Sequence, residues 1–318
     1  MTKTYLLAAT SALVALTSPA AAHRAWLVPS ITTLSDTTSW VTVDAAVSND
    51  LFYADHFPLG TEQVKVWQPD GTPGQIQNVA KGRYRSVFDV AIDKPGTWRV
   101  GMMDSNVGGT FKVNGEDWAV GRRRGPPGGG PGGPGGPGGA NPPRPPAAAK
   151  PAGPEGAEEG GGPRRPTIAP DHMVATVADI PATATDLNLT ESISRNEFYV
   201  SAGSPTTAIF APTNKGLEMV PVTHPDELVS NEPGRFRFLI DGKPAADLKV
   251  TLVPGGKRYR AGEEAQTLTT AADGILTVKW PVAGMYWLNT SAADDHPGAP
   301  RATHRRMSYT ATLEVVAP

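Results

Sequence analysis

The chain has 318 residues, 29 basic and 31 acidic side chains, a formal net charge of -2 and no cysteine. The near-neutral balance, with no long run of either sign, lacks the electrostatic footprint of a nucleic-acid binder. Without cysteine there can be neither disulfide staples nor thiolate metal sites, so any metal must be held by nitrogen, oxygen or thioether.

Residues 1–22 read as an export signal: Lys3 near the start, an apolar stretch from Tyr5 to Leu16, and Ala20, Ala21 and Ala22 before the expected cut. The apolar run is too short to span a bilayer, and no later segment reaches the required length. The sequence therefore predicts a periplasmic or secreted protein with no transmembrane segment after signal removal.

Cleavage after Ala22 leaves "HRAW", whose His23 can chelate through its own α-amine and ring Nδ1. With a second imidazole, the three nitrogens would suit Cu(II), Ni(II) or Co(II), an arrangement known as a histidine brace. Amines and imidazoles of unstructured peptides lose their protons at about pH 6.5 to 8, so protons compete only modestly with a metal near neutrality. Cleavage after Ala20 leaves "AAHRAW", where a third-position histidine makes a different, square-planar chelate. The plain alternative is a frayed terminus whose histidine has no role.

Strand signals follow. "SWVTVDAAVS" (Ser39–Ser48) alternates Val41, Val43, Ala45 and Val47 against polar neighbours, the period of a half-buried strand. "SNDLFYADHFPLG" (Ser48–Gly60) then sets Asp55 and His56 among Leu51, Phe52, Tyr53 and Phe57, with Asp55 either an oxygen ligand or an orienting carboxylate. The same stretch would also make an ordinary packed turn. "TEQVKVWQPDGT" reads as strand and turn, and "GRYRSVFDVAIDKPGTWRVGM" as two strands about the Asp93–Gly96 turn. Trp26, Trp40, Trp67 and Trp98 are expected in a first core, Trp280 and Trp287 in a second.

Residues 121–166 turn into Gly, Pro and Ala, a composition with too little apolar surface to offset ordering entropy. They are expected to form a disordered insertion in a loop of the first domain. β signals resume at "DHMVATVADIPATATDL" and "RNEFYVSAGSPTTAIF", and turn pairs at Asp241-Gly242 and Asp273-Gly274 punctuate the final 90 residues. The expected fold is all-β: an N-terminal β-sandwich domain at 23–228 and a C-terminal β-sandwich at 229–318. The latter resembles transthyretin-like or carboxypeptidase-regulatory modules.

Other candidates for chemistry are His224 in "MVPVTHPDEL", at the expected domain junction, and Asp294, Asp295, His296 and His304 in "DDHPGAPRATHRR". His172 is the least supported. Met102 or Met103 could offer a thioether, although core packing is the default for methionine. The chain carries no Ser-His-Asp order, phosphate loop or dinucleotide fingerprint, so no catalytic set is assigned.

Taken together, "AHRAWLVPS", "VTVDAAVSNDLFYADHFPL", "KGLEMVPVTHPDEL" and "GRFRFLIDGKPAADLKVTLVPGGKRYR" resemble a domain-of-unknown-function family of exported bacterial proteins. That family is allied to accessory, substrate-binding components of nickel and cobalt uptake. The resemblance implies a metal held partly by His23, with His56 and His224 matching the family's other histidines, and a membrane metal transporter as partner. The expected function is binding of nickel, cobalt or copper for uptake or delivery. A copper histidine-brace oxidase or monooxygenase and a structural envelope protein without metal are the alternatives.

Overall fold

The computed structural model describes residues 23–121 and 168–318. The expected signal at 1–22 and the Gly/Pro-rich insertion beyond Gly121 lie outside them. The fold is all-β and sandwich-like, and helix is limited to five short 3-10 turns among the described residues. No helix there is long and apolar enough to cross a membrane.

The strands used below are β1 (Arg24–Pro29), β2 (Ser39–Ser48), β3 (Val64–Trp67), β4 (Gln77–Lys81), β5 (Ser86–Ile92), β6 (Gly96–Val113), β7 (Glu116–Val120) and β8 (Thr185–Ala202). They continue with β9 (Leu217–Pro221), β10 (Pro233–Ile240), β11 (Lys249–Pro254), β12 (Gln266–Thr269), β13 (Ile275–Lys279), β14 (Gly284–Asp294) and β15 (His304–Val315).

Contacts gather the chain into two compact units. The first ends at Asp104 and also takes in Ser194–Ser291 and Ser308–Pro318; the second comprises Ser105–Ile193 and Ala292–Met307. This division differs from the expected boundary at 228/229. The physical reason is strand pairing: β8 lies beside β15 in one sheet, so residues on both sides of the expected boundary share hydrogen bonds and a core.

In the first unit, a sheet in the order β1-β2-β5-β4 packs on β3, β6 and β8. The alternation of β2 behaves as read, with Val41, Val43 and Ala45 fully buried beside Leu27, Phe88, Val90, Trp98, Val100, Phe198 and Val200. Burying each large apolar side chain contributes about 1.5–3 kcal/mol. Trp40, expected in this core, is 51% exposed. The same period of two that buries Val41 and Val43 turns Trp40 to solvent with Thr42.

A second sheet, β9-β10-β13, packs on the far side of the unit, where Phe238 meets Tyr309 edge-on at 6.0 Å and Trp280 meets Tyr286 at 4.9 Å. β8 serves both layers. Phe198, Val200 and Ala202 join the first core, while the alternate residues Arg195, Glu197 and Tyr199 are buried with Tyr309, Phe210 and Met219. Both the Tyr199 and Tyr309 hydroxyls donate to Glu197 Oε1 at 2.7 Å. Arg195 Nη2 donates to Thr213 Oγ1 and the Lys215 carbonyl and lies 3.7 Å from Glu218. The Arg99 guanidinium sits 4.2 Å over the Trp67 ring. Burial, and then the Glu197 charge, push both phenols well above the usual tyrosine range.

In the second unit, β7 pairs antiparallel with the end of β6, and Met173–Val174 pairs parallel with β7. Phe111, Val120, Ile180 and Leu189 form its core. Gly109 has φ +148°, and a Cβ there would run into the Asn188 carbonyl oxygen and come within 2.9 Å of the Leu189 Cα. Backbone cannot yield as a side chain tip can. Gly109→Ala is expected to destabilise this unit by at least about 2 kcal/mol, read as lost protection of the β6–β7 amides in hydrogen exchange.

Candidate metal centre

The register of β2 builds the site. β1 runs along one edge with Arg24 opposite Ser48, and Phe57–Pro58 pairs with β2 through Val47 and Ala46. The residue before β1 and the residue before Phe57 are thus delivered to the same end of β2. They are His23 and His56. Their rings stack with centroids 3.7 Å apart and planes 9° from parallel, Phe57 borders the His56 ring at 4.8 Å, and both histidines are exposed.

The connecting loop is held from within and from below. Trp26 Nε1 donates to Ser48 Oγ at 2.7 Å, and Ser48 Oγ donates to the Asp50 carbonyl at 2.6 Å. The Asn49 amide donates to Asp55 Oδ1 at 3.1 Å. Phe52 adopts φ +62°, unusual for a bulky residue. Its ring meets Trp26 edge-on at 5.9 Å and lies over Gly255, where a Cβ would approach it to 2.7 Å. Packing thus holds a backbone conformation that the side chain alone disfavours.

Each remaining candidate has a different setting. Asp55 fixes the loop through the Asn49 amide, an orienting use of the carboxylate. His224, 8% exposed, caps a 3-10 turn: its Nδ1 accepts from the Asp226 amide at 3.1 Å, and Nε2 lies 3.0 Å from Thr97 Oγ1 and 3.3 Å from the Thr206 carbonyl. With Nδ1 accepting, Nε2 carries the proton, and neither nitrogen keeps a lone pair for a metal. The structure does not bring His224 to the His23–His56 pair, and no group of three or more His, Asp or Glu side chains converges among the described residues. Asp294 takes Arg305 through Nε and Nη2 at 2.9 and 2.6 Å, Asp295 meets His304 Nδ1 at 2.7 Å, and His172 stacks on Trp118 at 4.6 Å.

Beside His224, burial pushes the Asp226 carboxyl above the usual carboxylate range. A carboxyl raised on folding contributes stability that is full below the unfolded value of about 3.9 and is lost as pH rises through the folded value. Asp226→Asn is therefore expected to melt higher than the natural chain at pH 7, with the difference shrinking toward pH 4. Melting curves across that range check it.

Sequence reading missed the contacts that brace this loop from the C-terminal half. Lys257 Nζ bonds Asp50 Oδ1 at 2.5 Å, the Arg258 guanidinium lies 3.2 Å from the centroid of Tyr53, and Arg24 Nη2 reaches both Glu263 Oε1 and the Asn49 carbonyl at 2.6 Å. The Lys257 ammonium holds the Asp50 carboxyl below the usual carboxylate range. The only hint in the sequence was the charge density of "GGKRYRAGEE".

The donor chemistry of the pair suits a nitrogen-loving first-row ion. Two exposed imidazoles lie within one ring thickness, and cleavage after Ala22 would add an α-amine to one of them. Imidazole lone pairs lie in the ring plane, so parallel stacked rings must turn before both can address one ion.

An all-β sandwich carrying a surface imidazole pair is the class that fold and site define. The chain belongs to the family described as Domain of unknown function (DUF4198), whose model matches residues 20–294. No curated protein matches the chain. Among solved structures, the "D0-D1 domain of Intimin" is similar at 10% identity, with 91% of this chain and 97% of that chain covered and a TM-score of 0.20. A likeness of that size carries no argument about fold, ligand or partner.

Proposed function

We propose that the exported chain, cut after Ala22, binds one nickel, cobalt or copper ion through the His23 α-amine and imidazole and the His56 imidazole, for uptake or delivery at a membrane metal transporter. The observation that carries this reading is the stacked His23–His56 pair, because the two residues lie 33 positions apart and reach one place only through the β2 register. The transport role is the one that the sequence resemblance leads us to expect. Bound metal would serve as cargo. The chain's residues supply nitrogen donors, a loop that fixes His56, and an exposed position from which an ion can be handed on.

The test is to express the chain with its natural leader, sequence the mature N-terminus, and titrate the purified protein with Cu(II), Ni(II) and Co(II). One equivalent bound by protein beginning at His23 is expected. A mature chain starting at His23 that binds none of the three ions overturns the proposal. Copper-dependent peroxide formation with ascorbate would move the assignment from carrier to oxidase.

A further inference from the structure

The Gly255–Glu264 segment touches the site at both of its halves. Arg24, the residue after His23, is tied to Glu263 at 2.6 Å and lies over Trp287, with its guanidinium carbon 5.7 Å from the ring centroid. The loop that ends in His56 is tied at Asp50 by Lys257 and at Tyr53 by Arg258. Gly255 gives up its side chain to seat Phe52, and the Arg260 guanidinium donates to the Pro254 and Gly255 carbonyls at 2.8 and 2.7 Å, which fixes the base of the segment. A single loop thus holds the backbone on either side of the ring pair.

We infer that the Gly255–Glu264 loop is a positioning device for the His23–His56 pair, with Lys257 and Glu263 as its positioning residues acting through Asp50 and Arg24. Its consequence for metal affinity rests on the proposed metal reading; the positioning of the rings does not. Neither residue touches the imidazoles. Each acts by limiting where a neighbouring backbone can go, one layer beyond groups bonded directly to a ligand ring, whose loss costs about 10- to 100-fold in metal affinity. The contribution of the same ion pairs to global stability is small, because Lys257 and Asp50 are 43% and 29% exposed and Arg24 and Glu263 18% and 33%.

The experiment uses the processed full-length protein labelled at histidine. Ring-to-ring nuclear Overhauser effects between His23 and His56 report that the two side chains are held together, which a shared ion needs although the rings must turn out of the parallel stack to bind it, and competition titration with Cu(II) reports affinity. Lys257→Glu and Glu263→Gln are expected to abolish the ring-to-ring signal and weaken Cu(II) binding by up to about tenfold, with melting temperature moved by less than about 3 °C. Pairing Lys257→Glu with Asp50→Lys restores the contact with reversed charges, and is expected to recover both signals. Unchanged ring-to-ring signals in the single variants overturn the inference. If the natural protein shows the stack and loses it in the variants yet takes up no metal, the positioning stands and the metal reading falls.

Discussion

Replacing His23 by alanine in the processed protein is expected to lower its proposed affinity for Cu(II), Ni(II) or Co(II) by more than about 100-fold. Losing a group that only orients a ligand costs about 10- to 100-fold, and this substitution deletes a ligand ring outright. It also leaves the α-amine without its chelate partner. Adding one glycine ahead of His23 makes the sharper comparison, since it keeps both imidazoles and moves the amine out of the chelate. The expected loss is again large, and His56→Ala should resemble it. Because the donors must give up protons, binding tightens as pH rises toward 8. Competition titration at fixed pH reads all three variants. Affinity unaffected by the extra glycine would remove the α-amine from the donor set.

Glu197→Ala is the substitution expected to cost most in stability, about 3–5 kcal/mol. Glu197 is 5% exposed and accepts from two phenols in a cluster that also holds Arg99, Arg195 and Glu218. Its removal leaves two buried hydroxyls with only one another, 3.2 Å apart, and unbalances the buried guanidinium charge. At about 2–4 °C per kcal/mol for a unit of this size, melting should fall by about 10 °C. Glu197→Gln keeps an acceptor and should cost about half as much. The phenols set a direction with pH as well. Groups whose pKa is raised on folding give stability that is full below the unfolded value of about 10 and falls as pH rises through the folded one. The natural protein should thus weaken in alkali above about pH 10. Denaturation curves at pH 8 and 11 test both statements, and a Glu197→Ala protein as stable as the parent would show the cluster to be dispensable.

Periodicity made most of the fold legible. Val41, Val43 and Ala45 lie where alternation put them, and the turn at Asp273-Gly274 is one in which Gly274 takes φ +76°. His23 and His56 were legible as residue types beside strand ends, and the β2 register brought them together. What was not legible depends on distance along the chain. No local pattern reveals that Lys257 reaches Asp50, or that β8 pairs with β15 across the boundary expected near 228. His224 read as a ligand because it is a histidine before a proline at a presumed junction. Its Nδ1 caps the turn through the nearby Asp226 amide, but that its Nε2 is also taken became visible only once Thr97, more than a hundred residues earlier, was seen against it. β8 had written its two faces in "RNEFYVSA", but alternation without an exposed side gives no warning that the polar face is buried too.

The bond from Arg24 to Glu263 spans 239 residues, and that span bears on how the protein is made. Contacts so remote in sequence form slowly, because chain entropy must be lost before they return any energy. In an exported chain the segment around His23 would emerge well before the segment around Glu263, 239 residues later. In an exported chain, the end proposed to bind metal would be laid down early and among the last to be finished.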